Sequence, residues 1–412
     1  MSGQQSHKNG HALKRNMQSS LPTRTKSWTN YVGAVMKPCN FASAEPDPAP
    51  WLQIVEADTT FQSIDREIHN FMEYMKPTPE ELAAREDLVR RFQLFIQSHF
   101  KNGMGVTPFG SYVTGLYLPS SDIDIVLTLP RIGPSAKVQL GAILAAVKAS
   151  GFASKVDDVL KATVPLIRIK DEITSIDIDL TASDGHALRS TAAVQKWLRE
   201  ETELKRALIF VLKRFLATRR CGTTYTGGIN SYLLVWLVVA WVSIEWPKVK
   251  AFAPIHPPPA SSTAHQTGTD STSTEALSET LGDLNIQNSS PKSNAHEGEA
   301  IFPAHLIPLY THALLHFFKF YGRTFRYHQQ AIEIEPRPHL KRKIVTHEQP
   351  YLLSICDPAD PSIDMGSKSY GIKHVQATFV DAYARLQKAT QLSAEERLAK
   401  FPDGVLHDLI YE

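Results

Sequence analysis

The sequence has few of the features that mark several large classes of protein. Its 412 residues include only three cysteines, Cys39, Cys221 and Cys356. An odd, scattered set of cysteines supplies neither a disulfide framework nor a zinc site, so we expect an intracellular protein. The formal net charge is only +2. A nucleic-acid partner would therefore have to bind a local basic surface rather than be attracted by the charge of the whole protein.

Long apolar runs are also scarce. The N-terminal residues lack the apolar stretch of a signal peptide. One run, residues 229–246, approaches the length of a membrane span, but it begins with the polar residues Asn230 and Ser231 and contains Glu245 near its end. A buried core helix is the favoured interpretation, and no membrane partner is expected.

Two segments have the composition of disordered chain. Residues 1–45 are polar and lack periodicity, and residues 253–299 are rich in proline, serine and threonine with few large apolar side chains. The segment that begins near residue 55 is helical by its apolar spacing. Within it, Thr78 and Glu81 form a capping box around Pro79, which suits a first helical turn.

The remaining chain divides by its periodicity. Strand patterns alternate with a helix over residues 99–190, which predicts an α/β unit. Residues 191–252 and 300–400 are mainly helical. The fold class predicted from these patterns is α+β.

The stretch "SSDIDIVL" contains two carboxylates in an apolar strand. Side chains alternate across a strand, so Asp122 and Asp124 point to one face while Ile123 and Ile125 pack on the other. Neighbouring carboxylates repel each other unless a cation joins them, and Mg²⁺ prefers such hard oxygen ligands. For this pattern alone, a surface strand with a charged, solvated face is the favoured interpretation.

Two further motifs favour the metal site. Gly110 and Ser111 precede the carboxylates, with Ser111 eleven residues before Asp122, and a Gly-Ser turn at a helix start can offer N–H groups and a hydroxyl to a phosphate. The stretch "SIDIDL" supplies a third carboxylate, Asp177 or Asp179, on a second strand. Three converging carboxylates can hold two metal ions for phosphoryl-type transfer.

In order and spacing, these blocks resemble the DNA polymerase β-like nucleotidyltransferase superfamily. The later stretches "FVLKRFLATRR", "YTGGINSYLL" and "DPADPSIDMGSKSYG" are similar to the noncanonical poly(A) RNA polymerases, in particular the nuclear branch that supplies RNA to the exosome. The resemblance implies a mixed-sheet catalytic domain over 99–190 and a mostly helical central domain. It assigns to the central domain residues 55–98, 191–252 and 300–400.

The resemblance also implies roles for individual residues. Asp122 and Asp124 match the metal-binding pair, and Asp177 fits the register of the third carboxylate better than Asp179. Gly110 and Ser111 match the phosphate-binding turn. The remaining matches concern the nucleotide: Lys213 for the triphosphate, Ser231 and Tyr232 for a phosphate and the base, and Asp357 and Asp360 for the base edge.

The resemblance also predicts, from one further position, which nucleotide base the protein selects. Uridylyl-adding relatives place a histidine where this chain has Ile363, so ATP is favoured over UTP. The chain departs from the family at Ser120, where glycine is frequent, and after Asp179, where the ribose-contacting positions near 185–191 are not identifiable.

The function implied is addition of AMP from ATP to RNA 3′ ends with Mg²⁺ or Mn²⁺. A zinc-knuckle RNA-binding subunit and an RNA helicase are the implied partners, and the nucleus, with the cytoplasm as alternative, is the implied location. A terminal uridylyltransferase and an inactive scaffold of an RNA-processing complex are the alternatives.

Overall fold

The computed structural model describes seven stretches of the chain: residues 63–100, 104–129, 134–162, 164–182, 185–252, 309–344 and 349–411. The two segments predicted to be disordered, 1–45 and 253–299, lie outside the described residues. The described residues belong to one compact unit.

A mixed five-stranded sheet carries the first half of the described chain, with strand order β1-β2-β5-β4-β3. Its strands are β1 Gly105–Pro108, β2 Ile123–Thr128, β3 Ala153–Val159, β4 Leu166–Asp171 and β5 Asp177–Ala182. The central pair, β2 and β5, is parallel, whereas the other neighbours are antiparallel. Three helices accompany the sheet: α2 Pro79–His99, α3 Gly110–Thr114 and α4 Ala136–Ser150.

Helices dominate the rest of the molecule. They are α1 Ile64–Tyr74, α5 His186–Trp197, α6 Thr202–Thr218, α7 Ser231–Ile244, α8 Trp246–Lys250, α9 Tyr310–Lys319, α10 Ile372–Thr390, α11 Ala394–Lys400 and α12 Val405–Tyr411. Two short hairpins join them, β6 Gln330–Glu333 with β7 His339–Arg342, and β8 Cys356–Asp357 with β9 Asp360–Asp364. The combination of a mixed sheet with a helical part confirms the α+β prediction.

The helix α7 is a buried core helix, as its polar ends predicted. Asn230 caps it by accepting a hydrogen bond from the backbone N–H of Leu233 at 2.8 Å. Trp236 and Trp241, one and a half turns apart, are among the largest fully buried side chains. Within the ranges that the structure describes, no helix is long and apolar enough to cross a membrane.

Buried side chains form two hydrophobic cores. The sheet core joins the inner sides of β2, β4 and β5 to α2 and α4. The helical core joins α1 to helices α5–α10 and α12. Ile64, Ile68 and Phe71 of α1 lie in the helical core, as the apolar spacing of that helix allowed.

Nearly all of the helix α2 lies within residues 55–98, which the resemblance assigns to the central domain. Its capping box at Thr78 and Glu81 forms as predicted. However, its buried residues, including Leu88 and Phe92, lie in the sheet core. Arg91 of this helix also donates two hydrogen bonds of 2.8 Å to Asp171 at the end of β4. Apolar spacing shows that a helix has a buried face, but it does not show which core that face meets.

Candidate active site

The strand β2 places both of its carboxylates on one face, as predicted. Ile123 and Ile125 are fully buried on the opposite face, in the sheet core. Asp124 lies within the strand and Asp122 immediately before it. Both side chains are only partly buried, so they can reach solvent and a ligand.

The neighbouring strand β5 brings two more carboxylates to the same face. Asp179 is the cross-strand partner of Asp124, and Asp177 precedes Ile178, which pairs with Ile123. Even so, among the described residues no three acidic, histidine or cysteine side chains gather closely enough to hold a metal ion. The strands therefore align the carboxylates on one face of the sheet, and the assignment of Asp177 as the third ligand stays a prediction.

Arg168 on β4 accounts for the position of Asp179. It is the cross-strand partner of Asp179, and its guanidinium donates to both carboxylate oxygens, from Nε at 2.7 Å and from Nη2 at 2.6 Å. Nη2 also lies 3.9 Å from Oδ2 of Asp122. The Arg168 guanidinium thus binds both carboxylate oxygens of Asp179 and lies beside the carboxylate of Asp122.

Burial and neighbouring negative charge raise the pKa values of Asp122 and Asp124. Burial raises the pKa of Asp122 to about 6, with a further increase from Asp179 that Arg168 partly offsets. Burial and then repulsion by Asp122 raise the pKa of Asp124 to about 7. A bound cation would lower both pKa values, which is the electrostatic condition of a metal site.

Gly110 lies directly against this carboxylate pair. Its φ of +69° is in the left-handed region, and a Cβ there would lie 2.7 Å from Oδ2 of Asp124. Its backbone N–H donates to Oγ1 of Thr191 on α5 at 2.9 Å. The glycine thus lets the turn approach Asp124, while Ser111 follows it as the second residue of α3.

Lys213 faces the carboxylates from the helical part of the molecule. Its Nζ donates to the carbonyl oxygen of Leu116 at 2.7 Å. Burial lowers the pKa of Lys213 to about 8, and Asp122 and Asp124 oppose this decrease. The structure therefore places Lys213, the predicted triphosphate ligand, where it interacts electrostatically with Asp122 and Asp124, two of the predicted metal ligands.

Tyr232 and Asp357 meet near the first residue of α5, His186. The Tyr232 hydroxyl donates to Oδ1 of Asp357 at 2.8 Å, and burial, followed by this hydrogen bond, raises the pKa of the tyrosine. Oδ2 of Asp357 lies 3.0 Å from Nε2 of His186, and Oδ1 also accepts from the backbone N–H of Ala359 at 2.8 Å.

Asp357, which is predicted to contact the base edge, is buried. Its side chain is only 1% exposed, and the groups just described engage both of its oxygens. Asp360 is more accessible and accepts hydrogen bonds from the N–H and hydroxyl of Ser362 at 3.1 and 2.6 Å. Ser231, the first residue of α7, is exposed.

Sequence reasoning missed three residues of this site, namely Arg168, His186 and Thr191. Strand alternation in "PLIRIK" could have identified Arg168, since Ile167 and Ile169 are buried on the opposite face. The first turns of α5 link the two halves of the site, because Thr191 contacts Gly110 and His186 contacts Asp357. No local signal marked His186 or Thr191.

Comparison with known proteins agrees with this arrangement. The model of the central palm domain of mitochondrial-like poly(A) RNA polymerases matches residues 64–199. The model of the PAP-associated domain of Cid1 family poly(A) polymerases matches residues 311–363. Over these residues the chain is similar to the noncanonical poly(A) RNA polymerases. The resemblance recognised in the sequence motifs is thereby confirmed.

Members of this family differ in activity. Poly(A) RNA polymerase cid14 of Schizosaccharomyces pombe is 27% identical over 81% of this chain and 42% of its own length. The chain thus spans about two fifths of the length of that curated relative. The protein Trf4-2 of Drosophila melanogaster is 25% identical over 76% of this chain and 68% of its own length, and it is described as inactive.

A solved family structure shares the fold. It is the polymerase core of TRAMP, described as an RNA surveillance complex, and it superposes with a TM-score of 0.66. The match covers 88% of this chain and 99% of the other, at 22% sequence identity. This likeness confirms the predicted nucleotidyltransferase architecture.

Proposed function

We propose that this protein adds AMP from ATP to RNA 3′ ends without a template. The observation that carries the proposal is the pair Asp122 and Asp124 on one face of β2, with Gly110 packed directly against Asp124. A scaffold without activity would not need two adjacent carboxylates whose pKa values are raised by burial and by the charge of neighbouring carboxylates.

The carboxylate pair fits a hard divalent cation. We propose Mg²⁺ or Mn²⁺ as the cation, with Asp122, Asp124 and Asp177 as the protein ligands and the remaining positions left for substrate phosphates. When bound, such ions would lower the pKa of the attacking RNA hydroxyl and neutralise charge on the triphosphate. Phosphoryl-type transfer otherwise requires mainly positioning and charge stabilisation, which the side chains must provide.

The nucleotide-binding roles follow the placement of each side chain. Lys213 would bind the triphosphate from the helical side, and the turn at Gly110 and Ser111 would bind it from the sheet side. Tyr232 would stack on the base from α7, next to the phosphate ligand Ser231. Two aspartates complete this part of the proposal: Asp360 remains the proposed base-edge contact, and Asp357 acts by orienting the ring of Tyr232 through its hydroxyl.

ATP is the proposed substrate because Ile363 occupies the position of the histidine found in uridylyl-adding relatives. Its side chain is 40% exposed on β9, so an apolar group stands where those relatives offer a hydrogen-bonding one. The nucleus is the proposed location and RNA surveillance the proposed setting, with a zinc-knuckle RNA-binding subunit and an RNA helicase as proposed partners. Support for this setting comes from the motifs and from the likeness to the core of TRAMP.

The test is an extension assay with purified protein, labelled oligo(A), Mg²⁺ and each NTP alone, with and without a zinc-knuckle subunit. We expect extension with ATP in wild type and extension at background level in Asp122→Ala. The matched control is Asp158→Ala, on the strand at the far edge of the sheet, which should extend like wild type. Strong preference for UTP would identify a uridylyltransferase, and unchanged extension by Asp122→Ala would refute the metal assignment.

A further inference from the structure

Arg85 on α2 is a buried cation that the proposed reaction does not yet use. It is only 2% exposed, and a buried charge is costly unless it is paired or hydrogen-bonded. Among the described residues, its hydrogen-bond acceptors are the backbone carbonyl oxygens of Pro119 and Ser121, at 2.8 and 2.9 Å. Its guanidinium also lies over the ring of Tyr117, 4.6 Å from the ring centroid. One short stretch of chain therefore offsets the cost of burying this charge.

That stretch is the turn that leads into β2, residues 118–121, which we call the entry turn. The N–H of Ser121 donates to the carbonyl oxygen of Leu118 at 2.8 Å, and the N–H of Leu118 donates to Oγ of Ser121 at 3.0 Å. Arg85 binds two carbonyl oxygens that these bonds leave free. The carbonyl of Ser121 belongs to the planar peptide unit that ends at Asp122. Holding this carbonyl therefore fixes the backbone from which the Asp122 side chain starts.

The helix that carries Arg85 is itself firmly anchored. Leu88 and Phe92 of α2 are fully buried in the sheet core. A guanidinium presents its donors in a rigid planar fork, so two bonds to one turn set both its distance and its orientation. The ammonium group of a lysine does not reproduce this geometry. Arg85 thus ties the entry turn to a helix that the sheet core already holds in place.

The charge of Arg85 and its position have opposite consequences for a bound cation. Burial lowers the pKa of Arg85, and neighbouring groups, Asp122 among them, oppose this decrease. The guanidinium therefore interacts electrostatically with the carboxylate proposed as a metal ligand. A positive charge beside a cation site repels the cation. Removal of the charge alone would tighten cation binding, whereas loss of the entry-turn geometry would weaken it.

We propose that Arg85 is a positioning residue that fixes the entry turn and so holds Asp122 where it can bind the divalent cation. This inference rests on the proposed function, because it assumes that Asp122 binds the cation. Without the guanidinium, the carbonyl oxygens of Pro119 and Ser121 lose their donors. Asp122 then has to be ordered when the cation binds, and this ordering lowers the affinity.

The test measures Mn²⁺ affinity directly, by electron paramagnetic resonance of free Mn²⁺ with the protein and α,β-methylene-ATP. Arg85→Met, which keeps most of the packing volume, should weaken Mn²⁺ binding by roughly 10-fold. Arg85→Lys keeps the charge and loses the fork, so it should still bind more than about threefold more weakly than wild type. It decides the question if Arg85→Met does not fold. Mn²⁺ binding as tight as wild type or tighter in the folded variant overturns the inference.

The matched control is Arg91→Met on the same helix. Arg91 donates two hydrogen bonds of 2.8 Å to the fully buried carboxylate of Asp171, away from the entry turn. Arg91→Met should lower the thermal unfolding temperature and leave Mn²⁺ affinity within about twofold of wild type. All affinities are measured below the unfolding transition of each variant. Equal weakening by Arg91→Met and Arg85→Met would assign the effect to the anchoring of α2 in general and overturn the role of Arg85.

Asp122→Ala separates this inference from the proposed function. Loss of Mn²⁺ binding in Asp122→Ala, together with unchanged binding in Arg85→Met, refutes only the role of Arg85. Retention of Mn²⁺ binding in Asp122→Ala refutes the cation site itself, and the inference fails with it.

Discussion

At the level of single residues, the candidate site depends on the close approach of the Gly110 backbone to the Asp124 carboxylate as much as on charge. Gly110 combines a left-handed backbone with a carboxylate oxygen located 2.7 Å from where its Cβ would be. A carboxylate that binds a cation cannot move freely to make room for a methyl group. The position therefore has two independent reasons to be glycine, and only one of them concerns the backbone.

We predict that Gly110→Ala lowers the rate of RNA extension by about 100-fold or more, because it displaces Asp124 from its working position. The control is Gly151→Ala at the end of α4, which has a similar φ of +70° but open space around the site of its Cβ. Both variants should lose about 1 kcal/mol of unfolding free energy from backbone strain. Equal activities in the extension assay, at matched folding, would contradict the prediction.

At the level of elements, the hairpin of β8 and β9 is attached to the rest of the site through one buried carboxylate. Asp357 receives hydrogen bonds from Tyr232 on α7 and from the following turn, and it contacts His186 on α5. The hairpin is thus oriented by partners on two helices. Asp360 lies at the start of β9 and is engaged only by its neighbour Ser362 in the contacts described above.

We predict that Asp357→Ala lowers the free energy of unfolding by about 2–4 kcal/mol, because it leaves buried donors without an acceptor. Asp360→Ala should cost much less stability while weakening nucleotide binding. Urea unfolding measures the first effect, and KM for ATP measures the second. A stable Asp357→Ala variant with unchanged urea midpoint would show that the hairpin is held by other contacts.

At the level of the whole molecule, chain segments far apart in sequence close the helical core. Glu67 on α1 is 7% exposed and accepts a hydrogen bond of 2.7 Å from the N–H of Leu406 at the start of α12. Burial raises the pKa of Glu67 to about 7, although hydrogen bonds from Leu406 and Val405 and the charge of Arg397 lower it. The first and last helices in the described part of the chain are thus joined through an ionisable group.

The predicted consequence is a pH-dependent stability. Because the folded protein binds a proton at Glu67 that the unfolded chain releases, the free energy of unfolding should fall as pH rises from about 4.5 to 7. Glu67→Gln should remove about 2–3 kcal/mol of this decline while keeping an acceptor for Leu406. Urea unfolding at several pH values from 4.5 to 8 tests it. Parallel pH profiles for wild type and Glu67→Gln would contradict the prediction.

Local patterns were sufficient for much of the fold and part of the site. The period of two in a strand placed Asp122 and Asp124 on one face and Ile123 and Ile125 on the other. The capping box of α2 and the buried helix α7 also followed from neighbouring residues. These features depend on contacts within a few positions of chain, so the sequence contains their cause.

Tertiary structure alone decided the partners of those side chains. The register of β4 against β5 joined Arg168 to Asp179, and packing brought Asp357 against Tyr232 and His186, which lie 125 and 171 positions earlier in the chain. It also decided that α2 meets the sheet rather than the helical core. Periodicity states which face of an element is buried, whereas the identity of the group opposite it depends on how distant segments pack.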